Sequence, residues 1–221
     1  MKVWNLPQKP RGFLFDMDST LYTNEAFARA QIDGQIARLA QEKGLPPAAM
    51  AAEIDSWRRS WSASHAGQTI SLGNTFLAFG VDMATSIRWR EELIDPAGFL
   101  ERDPRLARAL EALRTRGPLA VVTNNPVAVA GRILETLGVA ELFDEVIGLD
   151  TYMKSKPHRD IFLGACARIG RKPDECVSIG DRYDIDLALP IELGMGGILV
   201  EDVSEVHSLD ATLALCNAGI S

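Results

Sequence analysis

The sequence predicts an α/β fold: a doubly wound, Rossmann-like parallel sheet carrying an inserted α-helical cap. Three observations predict it. Short apolar runs recur at residues 12–16, 119–123, 176–180 and 197–200, and residues 143–149 contain a further strand candidate. They are too short for helices and read as strands buried on both faces. From residue 104 onward these runs alternate with amphipathic stretches, which implies parallel strands joined by crossover helices. Between residues 24 and 94 the pattern is helical and holds no strand candidate.

Residues 24–43 form one helix, with Ala26, Phe27, Ala30, Ile36, Ala37, Leu39 and Ala40 as its apolar face and Gly44 as its stop. Pro46 and Pro47 open a second helix through Ile54, Trp57 and Trp61. Gly67 and Gly73 break the next stretch, and one or two shorter helices follow through Leu77 and then Trp89 to Leu93. After Asp95-Pro96 come helices at 104–116, 126–137, 157–169, 185–193 and 208–216, several of them stopped by glycine. Residues 1–19 and 95–221 therefore make the sheet domain, and residues 20–94 the cap. The run Gly194-Met195-Gly196-Gly197 follows a helix instead of opening one, so it reads as a turn and not as a dinucleotide loop.

The chain has 221 residues, 47% of them hydrophobic and 24% charged, enough to bury about 70% of its surface without disulfide support. With 23 Lys+Arg against 30 Asp+Glu, the net charge is −7. Nucleic-acid polymers require cations laid along phosphates, so this balance excludes them as partners, and anionic membrane surfaces are disfavoured for the same reason. Cys166, Cys176 and Cys216 are odd in number and have no CxxC spacing. They give neither a disulfide framework nor a zinc site, and each reads as a small buried hydrophobe. The N-terminus lacks the apolar segment of a signal peptide, and no run of 18 apolar residues occurs, so the expected compartment is the cytoplasm. Nothing in the sequence fixes an oligomeric state.

In open α/β sheets the ligand site lies at the carboxyl ends of the strands. Those ends carry Asp16 and Asp18, then Thr123, Asn124 and Asn125, then Lys154 and Lys156, then Asp181, Asp184 and Asp186. Asp16, Asp18, Asp181 and Asp186, converging on one rim, repel one another unless a cation joins them. An all-oxygen donor set suits Mg²⁺, which keeps room in its shell for water and phosphate. Lys156 adds positive charge, and a helix starting near Pro126 would aim free backbone N–H groups at the same point. Such a rim is suited to a phosphoryl dianion, with a carboxylate as possible nucleophile.

The segments FDMDST, VVTN, SKP and GDRYDID, in that order, resemble the four motifs of the haloacid dehalogenase-like hydrolase superfamily. The resemblance covers the whole chain, including a helical cap after the first motif, and is nearest the phosphoglycolate phosphatase-like and nucleotidase-like branch. It implies Asp16 as nucleophile and Mg²⁺ ligand, and Asp18 as general acid and base whose backbone carbonyl ligates the metal. Thr123 and Lys156 are implied as the phosphate-binding pair, with Asn124 beside them as a substrate contact. Asp181 is implied as a metal ligand, and Asp186 as the second acidic position of that motif, ligating through water or orienting the first shell. Lys154 rivals Lys156, but Pro157 favours Lys156. Asp184 rivals Asp186, but the spacing favours Asp186 and leaves Asp184 as a solvated residue or helix cap.

The expected activity is Mg²⁺-dependent hydrolysis of a small soluble phosphate monoester through an aspartyl-phosphate. A phosphosugar mutase shares these motifs and this kind of cap and stays open as an alternative. A phosphoacceptor signalling module is a weaker one, because such modules lack a cap and a second aspartate two residues after the acceptor. Cap residues expected to approach substrate are Asn24, Arg58, Arg59, His65, Gln68, Asn74 and Arg88, beside Trp57, Trp61 and Trp89, for which packing is the simpler role. His158 and His207 read as surface residues.

Overall fold

Phe13 and Phe15 point to one side of their strand and Leu14 to the other, and all three are buried. A strand with both sides covered needs helices on both faces of its sheet. The computed structural model describes residues 1–217, with side chains through residue 214, and has that arrangement. Strand β1 (Lys2–Trp4) and β2 (Gly12–Phe15) precede four helices: α1 (Glu25–Lys43), α2 (Pro47–Ser64), α3 (Leu72–Ala78) and α4 (Met83–Leu93). The alternating part then runs α5 (Pro104–Arg114), β3 (Leu119–Val122), α6 (Val127–Leu137), β4 (Glu145–Ile147), α7 (Leu149–Tyr152) and α8 (Arg159–Arg168). It ends with β5 (Cys176–Gly180), α9 (Ala188–Glu192), β6 (Gly196–Leu199), α10 (Val203–His207) and α11 (Leu209–Asn217). Among these residues no helix is long and apolar enough to cross a membrane.

The six strands lie in the order β1-β6-β5-β2-β3-β4. All pairs are parallel except β1 with β6. Strand β1 was not anticipated, because three residues followed shortly by Pro7 give too little alternation to read. It forms as an antiparallel edge, with Val3 opposite Ile198. One face packs Phe13, Phe15, Val121 and Ile179 under α5, α6, α10 and α11, and the other packs Leu14, Val122 and Ile147 under α8. Burying one such leucine or phenylalanine contributes about 2–3 kcal/mol.

The inserted helices have their own cluster of Leu39, Met50, Ile54, Phe76 and Trp89. Leu21, Tyr22, Phe27 and Ile94 instead join the sheet's core, so the insertion is rooted at both ends. Three expectations are corrected here. Ala26 and Ala30 are exposed, because the buried stripe of α1 runs Phe27, Gln31, Gln35, Leu39 and includes two glutamines. Gly73 lies inside α3 instead of breaking it, since the Ser71 side chain caps that helix on the backbone N–H of Asn74. Gly196 and Gly197 belong to β6, and only Gly194, at φ 93°, makes the turn. Cys166 and Cys176 are buried, as expected, and the side chain of Cys216 lies outside the described residues.

His207 is not a surface residue. Its Nε2 pairs at 2.8 Å with Asp103, whose carboxylate also accepts the Arg105 and Leu106 backbone N–H groups at the start of α5. Desolvation alone would raise the Asp103 pKa, but these partners outweigh it and hold it below the ordinary aspartate value. A group with a depressed folded pKa stabilises above its unfolded pKa and loses that contribution as pH falls. Asp103→Ala should therefore cost about 1–2 kcal/mol at neutral pH, read as a Tm lower by about 2–8 °C. The gap between the two proteins should narrow steadily below about pH 4.

Candidate active site

The strand ends converge because neighbouring parallel strands finish together. Asp16 directly follows β2, Thr123 follows β3 and Asp181 follows β5. After β5 the chain makes one π-type turn, Tyr183–Leu187, before α9. That turn carries Asp186 back over Gly180. A Cβ at position 180 would sit 2.5 Å from the Cβ of Asp186, so only glycine permits the approach. The Ser178 hydroxyl donates to the Asp186 carbonyl at 2.8 Å, and the Arg182 backbone N–H donates to Asp186 Oδ2 at 3.1 Å. A single turn of π-helix at such a position is a recurrent device for aiming a side chain.

Lys156 reaches this point from the loop before α8, followed by a cis Lys156-Pro157 peptide. Its buried Nζ donates to Asp16 Oδ1 at 2.5 Å, Asp186 Oδ1 at 2.7 Å and the Val122 carbonyl at 2.7 Å. Desolvation would lower its pKa, but Asp16 and Asp186 outweigh that and keep the ammonium charged. Lys154, its rival in sequence, lies at the surface paired with Asp160 at 2.5 Å.

Asp16, Asp181 and Asp186 each offer an oxygen, and these oxygens lie within 4.8 Å of one another. Burial first, then repulsion by Asp16 and Asp186, pushes Asp181 up to about 7. Asp186 is also raised, since burial exceeds the attraction of Lys156. Carboxylates crowded to that degree carry an electrostatic cost that a divalent cation relieves, and their oxygens are the donors Mg²⁺ prefers. The residues thus fit such a metal.

The Asp18 carboxylate stands outside this trio. Tyr22 Oη donates to its Oδ1, as does Gln31 Nε2 at 3.3 Å, and Asn125 Nδ2 donates to its Oδ2 at 2.9 Å. Burial and the charge of Asp16 raise the Asp18 pKa, which favours a carboxyl group able to give up a proton. Thr123 is buried, its Oγ1 accepting the Asn125 backbone N–H at 3.1 Å. Asn124 Oδ1 accepts the Lys156 backbone N–H at 2.7 Å and so positions that loop. The Val127 N–H at the start of α6 is not free, because Asp150 Oδ1 accepts it at 2.9 Å. Helix α6 therefore offers fewer open donors than expected.

A cavity of about 270 Å³ opens over these groups, walled by Asp16, Asp18, Asn124, Lys156, Asp181 and Asp186. Its roof comes from the inserted helices through Gln31, Gln35, Ser71 and Arg90, none of which is a candidate from the sequence alone. The signal was available in the spacing. Gln31 and Gln35 continue the four-residue ladder from Phe27 to Leu39, and Arg90 lies one turn beyond Ser86 on the buried face of α4.

Of the residues that were singled out, Gln68 and Asn74 line a second cavity of about 460 Å³ beside Trp61. Asn24 caps α1, Arg58 donates to the Ile70 carbonyl at 2.8 Å, and Arg59 and Arg88 are exposed. Exposed His65 stacks on Trp61 and lines neither cavity. Trp89 is core, as packing predicts. Asp184 is part-exposed and caps no helix: it accepts the N–H and hydroxyl of Thr69, between α2 and α3, and Arg182 Nη2 donates to the same hydroxyl at 2.8 Å.

Similar proteins agree with this architecture. A phosphoglycolate phosphatase of Escherichia coli (strain K12) is 38% identical over 103 residues, which are 46% of this chain and 40% of that relative. The aligned segment thus spans less than half of that relative's length. A phosphoglycolate phosphatase of Salmonella typhi is 28% identical over 199 residues, covering 83% of this chain and 79% of the relative. Among solved structures, a HAD phosphatase from Thermococcus onnurineus superposes with TM-score 0.62 at 22% identity, covering 92% of this chain and 97% of its own. A 2-haloacid dehalogenase from Pseudomonas syringae pv. Tomato DC3000 gives TM-score 0.59 at 19% identity, covering 93% and 98%. At such identities the structures attest the fold alone. The family profile described as haloacid dehalogenase-like hydrolase matches residues 10–194, a span that takes in the ends of β2, β3, β4 and β5 and the roof of the cavity, and the chain belongs to that family.

Proposed function

We propose that the chain hydrolyses a small phosphate monoester, with Asp16 as nucleophile and Asp18 as general acid and base. The observation that carries this reading is that both carboxylates and Lys156 Nζ wall one cavity, with Asp18 fixed by three hydrogen bonds apart from the metal-suited trio. In the first step an Asp16 oxygen bonds to phosphorus while the ester P–O bond breaks. Asp18 gives its proton to the departing alcohol. In the second step Asp18 takes a proton from water, the water oxygen bonds to phosphorus, and the acyl phosphate bond to Asp16 breaks, releasing inorganic phosphate. Lys156 offsets the charge gathered around Asp16 throughout. Asp16, Asp181 and Asp186, with the Asp18 carbonyl, would hold Mg²⁺, which neutralises phosphoryl oxygens when bound.

The inserted segment, residues 20–94, acts in this reading as a cap that closes over the substrate. The Thr69–Asp184–Arg182 contact is the point at which the loop between α2 and α3 fastens to the sheet domain. Lid closure excludes water from the reacting groups and completes the site. The modest cavity limits the substrate to a few carbons beyond the phosphoryl group.

Asp16→Asn should lower phosphate release by at least about a thousandfold, and chelation of divalent cations should abolish release until Mg²⁺ is restored. Both are read with a panel of small esters beginning with 2-phosphoglycolate. Repeated release of inorganic phosphate per protein molecule is the expected result; transfer without release would indicate a mutase and overturn the reading. Asp184→Ala removes one fastening of the cap and should raise KM about fivefold, the equivalent of one hydrogen bond. A Tm fall without a change in KM would show that the contact serves only folding.

A further inference from the structure

Arg90 is the only buried arginine among the described residues. It sits near the end of α4 and faces the cavity that Asp16, Asp18 and Lys156 wall from below. Its Nη1 donates to Asn125 Oδ1 at 3.1 Å, and its Nε is sealed from solvent with no partner. Among the described residues no carboxylate oxygen lies within 4.0 Å of the guanidinium. Burial lowers its pKa only to about 10, so it stays charged at neutral pH. Asp18 attracts it across Asn125 without pairing with it directly, and a buried cation that makes no ion pair is costly to hold away from water unless an anion is to be received beside it.

The other cations around the cavity are already engaged. Lys156 spends its three protons on Asp16, Asp186 and the Val122 carbonyl, and Arg182 fastens Thr69 at the edge. The position of Arg90 is equally informative. Asn125 donates to Asp18 through Nδ2 and accepts from Arg90 through Oδ1, so one amide separates the two side chains. This orientation of the amide is the one its two partners require. If Asp18 serves the departing oxygen, the guanidinium lies over the next few atoms of the leaving group. A guanidinium is a planar fork that matches a carboxylate through two parallel hydrogen bonds.

We propose that Arg90 determines specificity at this site by receiving a carboxylate carried on the leaving group, so that short phosphorylated hydroxy acids are selected over uncharged esters of similar size. This rests on the phosphatase reading for its turnover arm, but its binding arm does not. In that arm, phosphonoacetate and ethylphosphonate are titrated calorimetrically into the protein with Mg²⁺. The unsubstituted protein should prefer phosphonoacetate by about 30-fold, the equivalent of a charge-assisted hydrogen-bond pair. Arg90→Met should bring the preference to within about threefold, and Arg90→Lys, which keeps the charge but loses the fork, should restore only part of it.

In the turnover arm, kcat/KM for 2-phosphoglycolate is divided by that for ethyl phosphate. Arg90→Met should lower this ratio about 30-fold. Equal losses on both esters would mean that Arg90 only positions Asn125 and Asp18, and would overturn the proposal. So would an unchanged ligand preference in Arg90→Lys and a folded Arg90→Met, with folding judged from thermal melts. Absence of turnover on every ester, with the binding preference intact, would overturn the phosphatase reading and leave the anion site standing.

Discussion

The buried ammonium of Lys156 is the constraint on which the rest of the site depends. One nitrogen holds the carboxylate after β2, the last carbonyl of β3 and the carboxylate of the turn after β5. The three segments come from distant parts of the sequence and meet only because β5, β2 and β3 are neighbours in the sheet. Removing one member of a buried ion pair leaves the other charge stranded, typically at about 3–5 kcal/mol. The separation of Asp16 from Asp186, and with it the size of the oxygen nest shared with Asp181, is thus set by what one ammonium can reach.

Around that centre the protein departs from ordinary packing rules in a consistent direction. Gln31, Gln35 and Arg90 occupy the buried stripes of α1 and α4, where apolar residues would stabilise more. Asp181, Asp186 and Asp18 are all raised in pKa by burial and by the neighbouring charge of Asp16. Local violations of this kind concentrate at functional sites, where the surrounding core offsets their cost. Here that core is the pair of apolar layers on either face of the sheet, together with the separate cluster inside the inserted helices.

The same contrast explains what could be read in advance. Strands β2, β3, β5 and β6 were legible because each is an apolar run bounded by turn residues, β4 because a strand is due between two helices of the alternating part, and the long helices because their caps and glycine stops are local signals. Strand β1 was not legible, since three residues carry almost no pattern and its stability comes from pairing with β6. The floor of the site was legible because strand ends in an α/β sheet share a rim. Its roof was not, because a search of the helices for an apolar face discards the glutamines and the arginine that the fold turns inward.

By itself, then, the sequence determined the α/β class, the interposed helical segment and the set of acidic and basic groups delivered to one rim. These follow from periodicity, breakers and strand ends, which are properties of short stretches of chain. Tertiary structure decided which groups meet: Lys156 and not Lys154 at the carboxylates, Asp184 on the Thr69 loop, His207 against Asp103, and Arg90 above Asn125. The reason is that each of these contacts joins separate segments of the chain. Their distances are set by helix packing and sheet order, which no local pattern encodes.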